Sequence, residues 1–510
     1  MLQEKILNEQ IFAAFPHYKT RTKEEALQEL GEPCGRFSSP FTMEERARLF
    51  VSGQLGKIDM LENVTGVVSS GVPLNWHALL RYLHQKGLIS KPEFKFNLLR
   101  NDLPKFYAMF LEAAYEEKKT DGRHVSGNGH GHAQTAELAM SKAVGETLER
   151  HLLTLYSVDS LRRASVQQLR EKRTAVLDIT QFNAFLPWQQ ERHPRFKKND
   201  ESPIYWTLGE TIGGDQILIP AQCVFWSYSF SHDKEEPILY PPTTSAAGGG
   251  FSKQEAILSG LLEHIERDGF LIYWLNHLSP KVIDVTQSEH EEIQKVLSLT
   301  KRYGLQLHFL NTTSDVGVPS VICAIIDDRA DMPIIAVGAG TGFDLEATIV
   351  HSAYEALIVL NQAERFEDLS LPHDYVPFVD KSIGHLERIR VWRGKEMLAR
   401  FAFFISGEQR GLEDFMKNIP QDLSPSEQLQ YVVAKLRALG KGYEPFVYEV
   451  RHEVLKTLGY HVVQTVVPQL LPIYLDEHLA TLDSRRLREV PAKLGCRAAD
   501  TLNPWPHPFP

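Results

Sequence analysis

Along the first 120 residues, apolar positions recur at spacings of three and four, the period of one helix face. Residues 22–30, 76–86 and 103–117 each read as an amphipathic helix, and none carries recognisable chemistry. From Val125 onward the pattern changes to a plan used three times, a glycine-rich loop followed by an alanine-rich helix. The copies run from 126–132 into a helix ending at Tyr156, from 246–250 into one ending at His277, and from 338–342 into one ending at Asn361. Runs rich in Val, Ile, Phe and Tyr, bounded by Gly, Pro or Asp, read as strands at 216–230, 316–337 and 447–475. Polar, proline-bearing connections cover 187–203 and 406–425. Strands alternating with helices predict a layered α/β unit with mixed sheets over 121–510, preceded by a mainly helical region over 1–120.

Composition narrows the function classes. A chain of 510 residues suggests about three domains by length alone. Lys+Arg total 55 against Asp+Glu 65, a formal net charge of −10, which argues against a nucleic-acid partner held by phosphate neutralisation. Cys34, Cys223, Cys323 and Cys496 form no Cys-x-x-Cys, so neither a disulfide framework nor a thiolate zinc site is expected, and a reducing, cytoplasmic setting fits. Residues 1–10 lack the apolar run of a signal peptide, and no stretch reaches the roughly 18 apolar residues of a membrane span. The run 192–198 holds four basic residues and a histidine, and reads as a solvated loop or a patch for an acidic peptide.

The sharpest chemical signal is a repeated carboxylate pair. Gly145-Glu146-Thr147-Leu148-Glu149-Arg150 lies in the first helix and Leu262-Glu263-His264-Ile265-Glu266-Arg267-Asp268 in the second. A spacing of three puts both carboxylates on one helix face, where like charges repel unless something compensates them. Glu255, Ser259, Glu263 and Glu266 form a polar stripe opposite Ile257, Leu258, Leu261, Leu262 and Ile265. Two exposed faces, each neutralised by its arginine, would explain a single copy; the repetition favours four carboxylates converging on divalent cations. Oxygen ligands without thiolates suit Mg²⁺, which commonly binds with substrate phosphates. Ser252-Lys253-Gln254-Glu255 is a capping-box sequence, with the loop Gly248-Gly249-Gly250 just before it at a helix N-terminus.

His124, His130 and His132 fall within nine residues but lack the spacing of a zinc motif, leaving a solvated loop, a phosphate or backbone contact from His130, or a metal. The last residues, Pro504-Trp505-Pro506-His507-Pro508-Phe509-Pro510, alternate proline with other residues and predict a stiff extended arm. Such an arm can deliver its terminal carboxylate accurately.

Together these residues resemble the YcaO-domain family, ATP-dependent enzymes acting on peptide backbone amides. The likeness rests on Gly145-Glu146-x-x-Glu149-Arg150, Ala246-Ala247-Gly248, Glu255-Ala256, Leu262-Glu263-x-x-Glu266-Arg267-Asp268 and Gly338-x-Gly340, over roughly residues 120–510. The terminal Pro506-x-Pro508-x-Pro510 resembles the azoline-forming cyclodehydratases of ribosomally made thiazole/oxazole peptides, including bacteriocins. The resemblance implies ATP and Mg²⁺ as cofactors, with Glu146, Glu149, Glu263 and Glu266 as metal ligands. It implies an ATP site formed by Lys142, Arg150, Glu255, Arg267 and Arg365, and makes the Pro510 carboxylate the candidate base. Lys142 stands where the family often has serine, His130 lies within the early Gly-Lys-Gly position, and Phe251 replaces a frequent asparagine. Implied partners are a precursor peptide with a leader and a separate leader-binding protein related to ubiquitin-activating proteins. A flavin dehydrogenase and a homodimer are compatible with the resemblance, whereas nucleic acid and membrane are not expected. Residues 1–120 would contact the partner or leader. Thioamide or amidine formation, a non-catalytic nucleotide- or peptide-binding scaffold, and a histidine-based metallohydrolase are the alternatives.

Overall fold

The computed structural model describes residues 65–67, 73–96, 107–114, 116–118, 124–133 and 135–509, except 232, 329–332, 364–370, 372–374, 381–382 and 418. The helix expected over 22–30 lies outside these residues. The second expectation is met by α1 (Trp76–Gln85), which buries Trp76, Leu79, Leu80 and Leu83 on one face. The third is corrected. Residues 107–111 form a strand, Tyr107–Leu111, that pairs antiparallel with Lys95–Phe96 on one side and Gly129–Ala133 on the other. Two ladders of backbone hydrogen bonds outweigh the local helical period, which propensity sets only weakly. This small sheet runs across the boundary expected at residue 120.

The three repeated units form α2 (Ala136–Thr154), α3 (Lys253–Leu275) and α4 (Leu345–Ala363). The segments preceding them are strands rather than loops: Gly129–Ala133, Ala247–Gly250 and the end of Ile334–Thr341. Their glycines serve packing. A Cβ on Gly131 would stand 1.7 Å from Ala139 O, on Gly248 2.1 Å from Ala256 O, and on Gly338 2.3 Å from Ser352 O. Each helix backbone therefore lies directly on its strand, as only glycine permits.

Two larger sheets carry the core. One runs Gln216–Pro220, Ile204–Thr211, Phe446–Glu449, His461–Val466, Ala247–Gly250, with antiparallel neighbours throughout. The other runs Ile334–Thr341, Ser320–Asp327, Gln306–Asn311, Lys281–Asp284, Gln409–Gly411, and only its last pair is parallel. The layered, mixed-sheet α/β architecture is thus the one expected. The run at 216–230 yields a strand only to Pro220, where a 3-10 turn begins, and the run at 447–475 is broken by the helix Glu453–Leu458.

Buried ion pairs lock the frame. Asp268 on α3 accepts Nε of Arg486 at 3.0 Å and the Leu471 N–H at 3.0 Å, with both charged side chains fully buried. Breaking one side of such a pair leaves an unpaired buried charge, worth about 3–5 kcal/mol. The basic run at 192–198 is structural in part: Arg195 donates to Glu236 O at 2.8 Å, and Lys198 to Phe182 O at 2.6 Å and Asn183 O at 2.9 Å. Cys223 and Cys323 are buried free thiols, and Cys496 is an exposed one. Among the described residues, no helix is long and apolar enough to cross a membrane.

Candidate functional site

α2 and α3 bring Glu146, Glu149 and Glu263 together, whereas Glu266 lines neither of the cavities there. Glu146, Glu149 and Glu263 line one small cavity of about 60 Å³. Glu146 and Glu149 also open onto a larger one of about 570 Å³, shared with Lys142, Glu255, His132, His351 and Glu355. Arg150 holds Glu146 at 2.7 Å, and the other Glu146 oxygen accepts the His130 N–H. Glu149 makes no ion pair among the described residues. Its burial, together with the charges of Glu146 and Glu263, pushes its pKa up to about 8. Room for its carboxylate comes from Gly249, where a Cβ would stand 2.4 Å from Glu149 Oε1.

On α3 the compensation differs. Arg267 bridges the pair, with Nη2 3.2 Å from Glu263 and Nη1 2.8 Å from Glu266. Glu263 also accepts the Ala246 N–H at 3.2 Å. Ala246 adopts φ +70°, a left-handed conformation unusual for alanine, and thereby turns its N–H toward that carboxylate. Burial raises the Glu263 carboxyl. Burial also pushes Glu266 up to about 8, with Glu355 and Glu263 adding to the rise and Arg267 opposing it. Glu149 and Glu266 are therefore mostly protonated near neutral pH, and a divalent cation binding there would displace their protons.

The other expected residues divide. Lys142 and Ser141 both line the larger cavity, and burial lowers the Lys142 ammonium pKa against the attraction of Glu355. Glu255 lines it too, yet also completes the expected capping box, accepting the Ser252 N–H at 3.0 Å while Ser252 Oγ accepts the Glu255 N–H at 3.2 Å. Arg365 and Pro510 lie outside the described residues. His130 and His132 occupy alternate positions of the Gly129–Ala133 strand rather than a solvated loop, and burial with the His351 charge pushes His132 down to about 3. Sequence reasoning missed Glu355, His351 and Tyr460. The first two sit one turn apart on α4, so the third helix also lends a polar pair to the cavity, a His–Glu pair four residues apart in place of two glutamates three apart.

The proline arm is docked as far as it is described. Prolines offer no N–H, so the arm's carbonyls must find donors elsewhere. Tyr375 Oη donates to Pro504 O at 3.2 Å, Trp274 Nε1 to Trp505 O at 3.2 Å, Trp392 Nε1 to Pro506 O at 3.1 Å and Arg388 to His507 O at 3.1 Å. Phe509 ends buried, its ring 3.9 Å beneath the guanidinium of Arg267. Its last described residue, Phe509, therefore rests on the same arginine that bridges Glu263 and Glu266.

A family model described as YcaO cyclodehydratase, ATP- and Mg²⁺-binding, matches residues 130–471. The chain belongs to the YcaO family. ATP and Mg²⁺ are the cofactors that family description carries, and the carboxylate-lined cavities provide oxygen donors suited to a hard cation. The fold is similar to that of a heterocyclase solved in complex with substrate and cofactor, with a TM-score of 0.67 at 16% identity, covering 87% of this chain and 59% of that one. It is similar also to YcaO from Methanopyrus kandleri bound with AMPPCP and Mg²⁺, with a TM-score of 0.55 at 17% identity, covering 80% of this chain and 94% of that one. Likeness at these identities is likeness of fold. Among curated proteins, the chain is similar to an uncharacterized protein in the tfuA 3′ region of Rhizobium leguminosarum bv. trifolii, 26% identical over 214 residues, 40% of this chain and 48% of the relative. An uncharacterized protein of Methanothermobacter thermautotrophicus is 28% identical over 159 residues, 30% of this chain and 40% of the relative. The chain thus spans less than half the length of the curated relatives it matches.

Proposed function

We propose that this chain is an ATP- and Mg²⁺-dependent cyclodehydratase converting Cys, Ser or Thr of a ribosomal precursor peptide to thiazolines or oxazolines. The observation that carries the reading is the convergence of two Glu-x-x-Glu-Arg helices on adjoining cavities. In the proposed reaction, a substrate Sγ or Oγ attacks the preceding amide carbonyl. The resulting hemiorthoamide oxygen takes the γ-phosphoryl group of ATP, releasing ADP. Loss of the amide N–H proton and departure of phosphate close the C=N bond, so the peptide loses one water per ring.

In this reading Glu146, Glu149, Glu263 and Glu266 hold Mg²⁺, which when bound neutralises charge on the phosphates. Lys142, Arg150, Glu255, Arg267 and Arg365 form the nucleotide site, with the cations offsetting phosphate charge. The base proposed for the amide proton is the Pro510 carboxylate, carried by the docked arm. A separate leader-binding protein delivers the peptide, residues 1–120 meet partner or leader, and a flavin dehydrogenase is a further partner. The expected setting is the cytoplasm.

The test incubates the full chain with partner, a Cys/Ser/Thr-rich precursor, ATP and Mg²⁺. Loss of water from the peptide, matched by ADP release and abolished in Glu263→Gln, supports the reading. Exchange of oxygen for sulfur or nitrogen would replace azoline formation by thioamide or amidine formation, and absence of any turnover would leave a binding scaffold. Extending the chain beyond Pro510 should abolish ring closure, and unchanged cyclisation sinks the assignment of its carboxylate.

A further inference from the structure

α4 supplies two groups toward the larger cavity that the proposed reaction does not use. His351 and Glu355 lie one turn apart, with His351 Nε2 3.4 Å from Glu355 Oε1. The Gly129–Ala133 strand adds His132, whose ring stacks on that of His351 at 5.3 Å with 21° between planes. One donor atom from each of the three residues lies within 4.8 Å of the others. Glu355 is oriented from outside the trio: its Oε2 accepts the Ala339 N–H at 3.1 Å, which leaves Oε1 turned toward His351. His132 Nε2 is buried with no hydrogen-bond partner among the described residues. All three residues line the cavity, so exogenous ligands can reach the trio.

We propose that His132, His351 and Glu355 form a binding site for a divalent first-row transition metal, distinct from the four-glutamate site. Two imidazoles and one carboxylate, drawn from a strand and an adjacent helix turn, are the donor set of open-sided zinc and non-haem iron centres. Mixed nitrogen and oxygen donors favour such ions over Mg²⁺, which selects oxygen. Metal–ligand bonds of about 2.1 Å place donors roughly 3.0–3.5 Å apart, a spacing the His351–Glu355 pair already has. Closure requires the His132 ring, now stacked on His351, to turn so that its nitrogen points at the same ion. The backbone bond to Glu355 is the kind of outer contact that fixes a ligand's direction. The inference does not depend on the ATP reaction.

The experiment strips the full chain with a chelator and titrates Co²⁺ in excess Mg²⁺, without nucleotide or peptide, following ligand-field absorption and bound metal per chain. One Co²⁺ per chain, with a spectrum of nitrogen and oxygen ligation, is expected, and it should be displaced by Zn²⁺. His351→Gln should weaken binding by at least about 100-fold, beyond the roughly 10–100-fold cost of losing an outer contact. His461→Gln, which removes another half-exposed His–Glu pair, should leave it unchanged. Circular dichroism and thermal unfolding confirm that each variant is folded; Glu355→Gln supplies a second ligand loss if His351→Gln is not. Absence of Co²⁺ binding in excess Mg²⁺ overturns the proposal, as does equal binding by folded His351→Gln or Glu355→Gln. Because the Glu355 charge also reaches Glu263 and Glu266, the four-glutamate site is read out separately, by Mg²⁺-dependent nucleotide binding to His351→Gln.

Discussion

α2 and α3 carry the same Glu-x-x-Glu-Arg sequence and solve its electrostatic problem differently. On α3, Arg267 reaches both carboxylates and is itself capped by Phe509 of the arm. On α2, Arg150 pairs directly with Glu146 and only partly offsets the rise of Glu149, whose pKa stays raised. One pair is thus organised by the protein, and the other half-waits for a cation. Repetition in sequence therefore means shared chemistry with unequal structural duty, and the two helices should respond differently to the same substitutions.

The largest difference is expected at the arginines. Arg267→Leu leaves Glu263 and Glu266 uncompensated and removes the seat of Phe509, costing about 3–5 kcal/mol of stability. Arg150→Leu loses a part-buried pair with Glu146 alone and should cost less than Arg267→Leu, about 1–2 kcal/mol. Chemical unfolding of the two variants checks this, and equal losses would erase the contrast.

At the carboxylates, Glu263→Gln and Glu149→Gln should each lower Mg²⁺-dependent ATP turnover by about 100-fold or more, above the cost of an outer-shell loss. Their metal-free stabilities should separate. Glu149→Gln removes a buried, unpaired carboxyl and should leave the melting temperature in chelator unchanged or higher, whereas Glu263→Gln breaks an ion pair and lowers it. Gly249→Ala should weaken Mg²⁺ binding by displacing the Glu149 carboxylate, while the melting temperature in chelator changes less.

The smallest effect is one of pH. Glu149 and Glu266 have folded pKa values of about 8, above the ordinary carboxyl value of 4.5. Between those limits these two groups keep protons in the folded chain that the unfolded chain has released, so their contribution to metal-free stability falls as pH rises from about 4.5 to about 8, a slope that Glu149→Gln should lessen. Saturating Mg²⁺ should flatten that decline, and its binding near pH 7 should release protons, measurable by calorimetry in buffers of different ionisation enthalpy. No proton release would contradict the raised carboxyls.

Features set by short-range chemistry were legible in the sequence. The spacing of Glu146 and Glu149, the Ser252–Glu255 box and the buried face of α3 follow from helix geometry alone. The glycine segments were misread because glycine suits both a phosphate loop and a strand pressed against a helix; only the Ala139, Ala256 and Ser352 carbonyls reveal which. Residues 107–111 kept a helical period while their partner strands lay elsewhere in the chain. In sequence His132 groups with His124 and His130, whereas His351 and Glu355 stand on a helix more than two hundred residues later, a proximity that only the fold creates.

The central claim is that the two carboxylate pairs form one Mg²⁺–nucleotide site. Calorimetric titration of AMPPCP into the full chain tests it most directly, with and without Mg²⁺, for the natural sequence, Glu146→Gln and Glu263→Gln. Binding that requires Mg²⁺ and is lost in both folded variants is the expected result. Equal affinity in chelator, or unchanged Mg²⁺-dependent binding in either variant, would contradict the site.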